Sequence, residues 1–235
     1  MTITYENFDN ASPVQFDAKA VASQASDSNK AAKHGVYRRF FKRALDVTAV
    51  VLAAPVVVPL VAGLAIAVSR DGGKGLIDQQ RVGMNGRAFR MWKLRSMVVD
   101  ADERMARHLA ENPDARAEWD AIQKLKNDPR ITPFGRFLRK SSLDELPQLW
   151  NVLIGDMSLV GPRPMMLNQQ AIYPGMAYYR LRPGITGYWQ TAGRNRTTFE
   201  ARAEYDAAYE RDVSLASDAR ILARTVSVVT GGTGC

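Results

Sequence analysis

Cysteine and histidine are almost absent from this 235-residue sequence, which contains one cysteine and two histidines. Cys235 has no second cysteine to pair with, so an internal disulfide is excluded and nothing indicates an oxidising compartment. With only His34 and His108 beside that cysteine, a zinc site built from histidine and cysteine ligands is also excluded. Any bound metal must therefore have oxygen ligands.

Acidic residues are outnumbered, 24 against 32 lysines and arginines, which gives a formal net charge of +8. Such a charge fits an anionic partner, whether nucleic acid, an acidic membrane face or phosphorylated small molecules. No recognition-helix or RNA-binding motif is visible, so we expect no nucleic acid partner. Residues 1–33 are rich in polar residues and alanine and lack a regular period, which predicts a flexible polar tail.

One long uncharged run extends from Val47 to Ser69, after a cluster of lysines and arginines. It is long enough to cross a bilayer, which takes about 20 apolar residues. Pro55 and Pro59 lie in its middle, and a proline inside a helix removes a backbone donor and bends or breaks the helix. Three interpretations stay open: a membrane-spanning helix, a helix broken at Pro55 that enters and leaves by one face, and a buried core helix.

The rest of the chain predicts a mainly α protein with a small β-hairpin. Two apolar–polar segments, Gly75–Arg81 and Arg87–Arg95, flank an Asn-Gly turn signal. Helical spacing extends from Val98 to about Leu125 with an interruption at Asn112-Pro113. Further helices are expected at Pro147–Ile154, about Thr198–Arg211 and about Ser217–Val229.

Adjacent carboxylates, Asp144 and Glu145, lie in the densest stretch of charged residues and prolines. Pro147 fits best as the first residue of a helix, where its missing N–H is harmless. The pair would then precede a helix N-terminus, whose partial positive charge stabilises carboxylates and nearby phosphates. The simpler interpretation is a helix cap made by Ser141 or Ser142 with the carboxylates.

Basic residues surround this pair, among them Arg136, Arg139 and Lys140 before it and Arg163 after it in a Gly-Pro-Arg-Pro segment. A guanidinium grips phosphate oxygens through two parallel hydrogen bonds when its backbone is held in place. Together the arginines predict a diphosphate site. Taken singly, each is better explained as a solvated surface charge or a partner for lipid headgroups.

Two other segments carry candidate binding residues. Arg194 belongs to the segment Leu181–Arg196, whose glycines and Tyr-Trp pair suit a nucleotide, although aromatic residues at a water–lipid boundary explain the pair equally well. In the hairpin, strand periodicity places Lys93 and Arg95 on one face.

Four motifs carry a family resemblance: FKRALDV before the apolar run, FRMWKLRSM, DPRITPFGRFLRKSSLDELPQLWNVLIGDMSLVGPRP, and RPGITGYWQTAGRN. They are similar to those of bacterial sugar transferases, which are monotopic phosphoglycosyl transferases, and above all to undecaprenyl-phosphate galactose phosphotransferases of exopolysaccharide pathways. The resemblance covers about Arg39 to Val229. It implies a monotopic protein on the cytoplasmic face of the bacterial inner membrane. The implied organisation is a basic flank and re-entrant membrane helix at 34–70, a catalytic domain at 71–230 and a tail at 231–235.

The resemblance also implies a reaction in two steps. An aspartate attacks the sugar-linked phosphate of a UDP-sugar, releases UMP and passes the hexose 1-phosphate to polyprenyl (undecaprenyl) phosphate. Asp144 matches the nucleophile, and Glu145 matches a second carboxylate that positions groups, moves protons or helps Asp144 to hold Mg²⁺. Pro55 matches the membrane break, although Ala54 stands where the family commonly has serine. Substrate-binding positions are matched by Lys93, Arg139, Arg163 and Arg194.

A non-catalytic alternative is a membrane-anchored binder of anionic lipid, or a scaffold for polysaccharide assembly. Two carboxylates among the arginines argue against a pure binder, because they weaken the attraction to phosphate unless a metal intervenes. The sequence leaves the sugar open between galactose and glucose, and leaves room for other polysaccharide-assembly proteins as partners.

Overall fold

The computed structural model describes residues 35–122, 125–192 and 199–230, so the predicted tails at 1–33 and 231–235 lie outside the described residues. The chain is mostly helical with a small hairpin, as predicted. The helices are α1 (Lys42–Val68), α2 (Ala101–Glu111), α3 (Pro113–Ile122), α4 (Pro133–Lys140), α5 (Gln148–Ile154), α6 (Tyr188–Ala192), α7 (Arg202–Asp212) and α8 (Leu215–Thr230). The strands are β1 (Leu76–Val82), β2 (Ala88–Leu94), β3 (Ser158–Val160) and β4 (Gly184–Thr186).

Helix α1 continues without interruption through Pro55 and Pro59, so the predicted break of the helix at Pro55 is wrong. A proline has no N–H to donate to the carbonyl four residues earlier, so one helical hydrogen bond is lost. The turns on either side keep their hydrogen bonds, and the helix can therefore bend at the proline without ending there. A π-helical turn, Tyr37–Phe41, and a 3-10 turn, Ser69–Asp71, extend this helical segment to 35 residues.

Helix α1 packs against the rest of the protein near both of its ends. Near its start, Val50 is buried against side chains of β2 and α5, and at its end Val68 is buried against Leu94 and Leu138. The opposite face exposes apolar side chains, including Leu52 and Val56, at 75% and 71%. Only 6% of its most apolar stretch is buried, so the interpretation as a core helix is wrong, and the helix is long and apolar enough to cross a membrane.

The predicted hairpin is confirmed. Strands β1 and β2 pair antiparallel, from Leu76 opposite Leu94 to Val82 opposite Ala88. Asn85 and Gly86 in the connecting turn have φ values of 60° and 77°, the left-handed region that asparagine and glycine tolerate best.

A second, two-stranded sheet was not predicted from the sequence. Strands β3 and β4 pair in parallel, with Ser158 opposite Gly184 and Val160 opposite Thr186. Gly161 allows this approach, because a Cβ there would collide with the Arg182 carbonyl and with the backbone of Gly184. This contact joins the Gly-Pro-Arg-Pro segment to the chain that leads into α6.

Candidate active site

Asp144 and Glu145 lie at a sharp corner between α4 and α5. Ser142 adopts the left-handed conformation, with φ 57° and ψ 18°, which costs energy for a residue with a side chain and turns the chain after α4. A 3-10 turn, Leu143–Glu145, follows, and Pro147 then precedes α5 as its N-cap residue. The prediction that the carboxylates come directly before a helix N-terminus is confirmed.

The serines beside the pair do not cap that helix. The Ser141 hydroxyl donates to the carbonyl of Phe137, at 2.8 Å, inside the preceding helix α4. Ser142 makes no capping bond with its side chain, and the N-cap residue of α5 is Pro147, which has no side-chain acceptor. The interpretation of the pair as part of a serine cap is therefore wrong.

The two carboxylates share one ammonium group. Lys93 Nζ lies 3.3 Å from Glu145 Oε1 and 4.0 Å from Asp144 Oδ2. Asp144 is 7% exposed, and its burial raises the pKa of its carboxyl group above the usual range. The charge of Lys93 opposes this rise, that of Glu145 adds to it, and that of Arg139 opposes it. Lys93 therefore favours the ionised form of Asp144.

A cavity of about 320 Å³ opens beside the corner. Glu145 is part of its wall, and Arg163 Nη1 lies 4.0 Å from Glu145 Oε1. Asp144 is not part of the wall, but its Oδ2 lies 4.0 Å from Nζ of Lys93, which is part of it. The charged and amide side chains that line the cavity are Arg81, Lys93, Glu145, Gln148, Arg163, Gln169 and Arg202. The fold thus brings two predicted substrate-binding residues, Lys93 and Arg163, to the carboxylate pair.

The other predicted arginines are placed differently. Arg139 is near Asp144 but does not line the cavity, since its Nε donates to Ser96 Oγ at 2.8 Å. Burial lowers the pKa of Arg139, and the charges of Asp144 and Asp128 counteract this effect. Arg194 lies outside the described residues.

Arg95 is not at the site, although strand periodicity placed it beside Lys93. Strand β2 ends at Leu94, so the alternation of faces does not extend to Arg95. Its buried guanidinium instead donates to Asp71 Oδ2 and to the carbonyl of Lys74, both at 2.8 Å. Arg95 therefore fixes the end of the long helical segment.

Sequence reasoning missed four polar residues of the cavity, Arg81, Gln148, Gln169 and Arg202. Arg81 stands near the end of β1, Gln148 begins α5, and Arg202 begins α7. No local pattern distinguishes Arg81 or Arg202 from surface arginines. Gln148, in contrast, could have been predicted as a site residue, because it follows Pro147 close after the carboxylates.

Asn151 fixes the position of Lys93 relative to the carboxylate pair. It is fully buried in α5, where its Oδ1 accepts from the backbone N–H of Trp92 at 3.0 Å. Its Nδ2 donates to the carbonyl of Arg90 at 2.7 Å. A helix that starts beside the carboxylates is thereby bonded to the strand that carries Lys93.

Among residues 35–122, 125–192 and 199–230, no group of three or more histidine, cysteine or acidic residues forms a ready metal site. Asp144 and Glu145 nevertheless fit Mg²⁺, which is commonly bound by one or two carboxylates and completed by substrate phosphates and water.

A buried aspartate and a half-buried glutamate beside an arginine-lined cavity, in a chain that also has a long apolar helix, define a class of protein suited to anionic substrates. The chain belongs to the bacterial sugar transferase family, whose model matches residues 37–232. The predicted family is thereby confirmed.

Three relatives are similar over about four-fifths of the chain. A UDP-galactose-lipid carrier transferase of Erwinia amylovora is 47% identical over 86% of this chain and 42% of its own length. An undecaprenyl-phosphate galactose phosphotransferase of Salmonella typhimurium is 47% identical over 81% of this chain and 40% of its own length. The exopolysaccharide production protein ExoY of Rhizobium meliloti is 42% identical over 80% of this chain and 84% of its own length. The chain therefore spans less than half the length of the first two and most of the third.

Proposed function

We propose that this protein transfers a hexose 1-phosphate from a UDP-sugar to polyprenyl phosphate and releases UMP, with Asp144 as the nucleophile. The observation that carries the proposal is the geometry of the corner, where one lysine contacts both carboxylates at the edge of an arginine-lined cavity. The names of two relatives, a UDP-galactose-lipid carrier transferase and an undecaprenyl-phosphate galactose phosphotransferase, support this donor and this acceptor.

The proposed reaction has two displacement steps at one phosphorus atom. In the first, the Asp144 carboxylate turns towards the cavity and attacks the sugar-linked phosphorus, and the bond to the UMP oxygen breaks with its electron pair leaving on UMP. In the second, a phosphate oxygen of the polyprenyl phosphate attacks the same phosphorus and Asp144 leaves as a carboxylate. The products are UMP and a polyprenyl diphosphate sugar.

The basic residues reduce the repulsion between a carboxylate nucleophile and an anionic diphosphate. Lys93 favours the ionised form of Asp144 and, with Arg163, places positive charge where the phosphate oxygens gain negative charge during the transfer. Glu145 holds Lys93 in place. Mg²⁺ bound by Asp144 and Glu145 would neutralise part of the diphosphate charge.

The donor and acceptor can be tested by UMP release from a panel of UDP-sugars, including UDP-galactose and UDP-glucose, with Mg²⁺ and membrane-inserted protein. Without polyprenyl phosphate, we expect a burst of at most one UMP per protein, because the intermediate accumulates. With polyprenyl phosphate, we expect continuous turnover for one or a few sugars. Absence of UMP release for every sugar would favour the alternative of a non-catalytic lipid binder.

Lys93→Gln is expected to move the acid limb of the pH–rate profile to higher pH. Lys93 lowers the pKa of Asp144, so its removal leaves the rise caused by burial less opposed. Asp144 then becomes protonated, and unable to attack, at a higher pH than in the wild type. The initial rate of UMP release against pH measures the shift.

The matched control for this variant is Lys74→Gln, which removes an exposed ammonium outside the cavity. Its acid limb should coincide with that of the wild type. An unchanged acid limb in Lys93→Gln would show that Lys93 does not tune the group that titrates.

For the membrane, we propose that α1 lies along the cytoplasmic face of the bacterial inner membrane and does not cross it. If α1 spanned the bilayer, one of its ends would lie on the far side of the membrane, away from the rest of the protein. In the structure, both ends of α1 contact the rest of the protein, through Val50 and Val68. The exposed apolar face of α1 would contact lipid. A UDP-sugar is also accessible only on the cytoplasmic side.

The topology can be tested by labelling cysteines with a membrane-impermeant maleimide in oriented vesicles. One probe is Cys235, and the other is a cysteine introduced within residues 1–30 of a Cys235→Ser chain. We expect both to be labelled from the cytoplasmic side. Labelling of the two positions from opposite sides would show that α1 spans the membrane.

A further inference from the structure

Asp46 is a buried carboxylate of α1 that the proposed reaction does not use. It lies near the start of α1, directly before the long uncharged run, and is 5% exposed. Its Oδ2 accepts a hydrogen bond from Ser158 Oγ at 2.7 Å, and its Oδ1 accepts one from the backbone N–H of Leu159 at 3.2 Å. A buried carboxylate is strongly destabilising unless donors of this kind satisfy it. Asp46 is therefore placed to hold two residues of β3.

Strand β3 leads directly to an arginine of the cavity. It ends at Val160, and Gly161 and Pro162 connect it to Arg163. This connection is stiff, because Gly161 lies against the backbone that leads into β4 and the ring of Pro162 fixes its own φ. A displacement of β3 would therefore move Arg163, whose Nη1 lies 4.0 Å from Glu145 Oε1.

A second residue of α1 bonds the helix that follows the carboxylate pair. Arg43, one turn before Asp46, donates through Nη2 to the carbonyl of Leu153 at 2.8 Å and through Nη1 to the carbonyl of Val152. These carbonyls belong to the last turn of α5, and only residues 155–157 separate α5 from β3. Helix α1 thus bonds to the chain on both sides of this connection. It fixes β3 relative to the helix that begins beside the carboxylate pair.

The attachment of α1 does not depend on Asp46. Asp218, near the start of α8, accepts hydrogen bonds from the Tyr37 hydroxyl at 2.7 Å and from Lys42 Nζ at 2.6 Å. Packing of Val50 against side chains of β2 and α5 adds to this attachment. Loss of the Asp46 carboxylate should therefore leave α1 in place and release only β3.

We propose that Asp46 is a positioning residue, which holds Arg163 at the place beside Glu145 that transfer requires. The inference rests on the proposed function and gives α1 a role in the active site besides its contact with lipid. Arg163 places positive charge where the phosphate oxygens gain negative charge. A displacement of about 1 Å at such a group can lower the rate on the order of 100-fold. Asp46 touches no substrate and acts through β3.

The test compares Asp46→Ala and Asp46→Asn by the kcat of UMP release, with polyprenyl phosphate and the membrane-inserted full chain. Alanine keeps the helix but removes both acceptors, and it is expected to lower kcat at least about ten-fold, because Arg163 is displaced. Asparagine still accepts from the Leu159 N–H and can donate to Ser158 Oγ, so it should restore most of kcat.

The matched control is Arg38→Gln, which removes a different bond between the start of this helical segment and the rest of the protein. Arg38 Nη2 donates to the carbonyl of Arg180 at 2.7 Å, and Nη1 lies 3.6 Å from Glu210, so these partners are outside β3. Its kcat should equal that of the wild type within about two-fold. Hydrogen exchange followed by mass spectrometry should become faster across residues 158–163 in Asp46→Ala and stay unchanged in the control.

A double-mutant cycle with Arg163→Gln separates positioning from general destabilisation. Once Arg163 is replaced, Asp46→Ala should lower kcat by no more than about two-fold further, because the two substitutions act through one group. A second loss of ten-fold in that background would overturn the proposal, as would equal kcat in the wild type and Asp46→Ala. If Asp46→Ala fails to fold, Ser158→Ala, which removes one donor to the same carboxylate, takes its place in the cycle. Absence of UMP release by the wild type would instead contradict the proposed function, and with it this role of Asp46.

Discussion

Asp144→Asn is expected to reduce sugar-phosphate transfer on the order of 10⁴-fold or more, the size of loss seen when a catalytic nucleophile is removed. The amide has nearly the same shape as the carboxylate but cannot attack phosphorus, and the buried position should accept it without unfolding. UMP release gives the rate. Mass spectrometry of the peptide that contains residue 144 should show a sugar-phosphate adduct in the wild type and none in the variant.

The control for this prediction is Asp120→Asn, which removes an exposed carboxylate that pairs with Arg116 on α3. Its rate should match that of the wild type within two-fold, since surface pairs of this kind contribute little. Glu145→Gln should slow transfer but still allow the adduct at Asp144. An adduct found on Glu145, or undiminished turnover in Asp144→Asn, would show that Asp144 is not the nucleophile.

Gly161→Ala is expected to lower the free energy of unfolding by about 3 kcal/mol, the upper part of the range for an overpacked core site. Its Cβ would meet the Arg182 carbonyl and the backbone of Gly184, so β3 and β4 would have to separate. Arg163 follows two residues later and would move with the chain. Denaturant unfolding in detergent gives the stability, and calorimetry with UDP reports the displacement of Arg163.

Gly63→Ala is the matched control, since a Cβ there would meet nothing within 4 Å. Alanine is a better helix former than glycine by about 1 kcal/mol, so this variant of α1 should be unchanged or slightly more stable. If Gly161→Ala were as stable as Gly63→Ala and bound UDP normally, the close contact of β3 with β4 would not position the site.

Local sequence patterns predicted the elements whose geometry depends on neighbouring residues. The Asn-Gly turn predicted the hairpin because these two residues tolerate the positive φ that the turn requires. Asn112 and Pro113 predicted the boundary between α2 and α3. Pro147 placed the carboxylates before a helix, because proline at that position sets φ without losing a hydrogen bond.

The features that these patterns did not predict depend on packing between segments that are far apart in the sequence. Strands β3 and β4 are three residues each, too short for periodicity to indicate them, and they pair only because glycines let two segments more than 20 residues apart touch. Helix α1 likewise remained helical through Pro55, where the local rule predicted a break. Buried contacts hold α1 on both sides of Pro55, at Val50 and at Val68.

The sequence by itself determined the family, the mainly helical fold, the corner at Asp144 and Glu145, and the candidacy of Lys93 and Arg163. Each of these follows from a contiguous motif, where the backbone conformation is set by the residues next to it. The tertiary structure alone decided that Asn151 bonds the strand of Lys93 to the helix after Glu145, and that Arg81 and Arg202 join Arg163 at one cavity. Those residues are separated by dozens of positions, so only the packing of the whole chain brings their charges together.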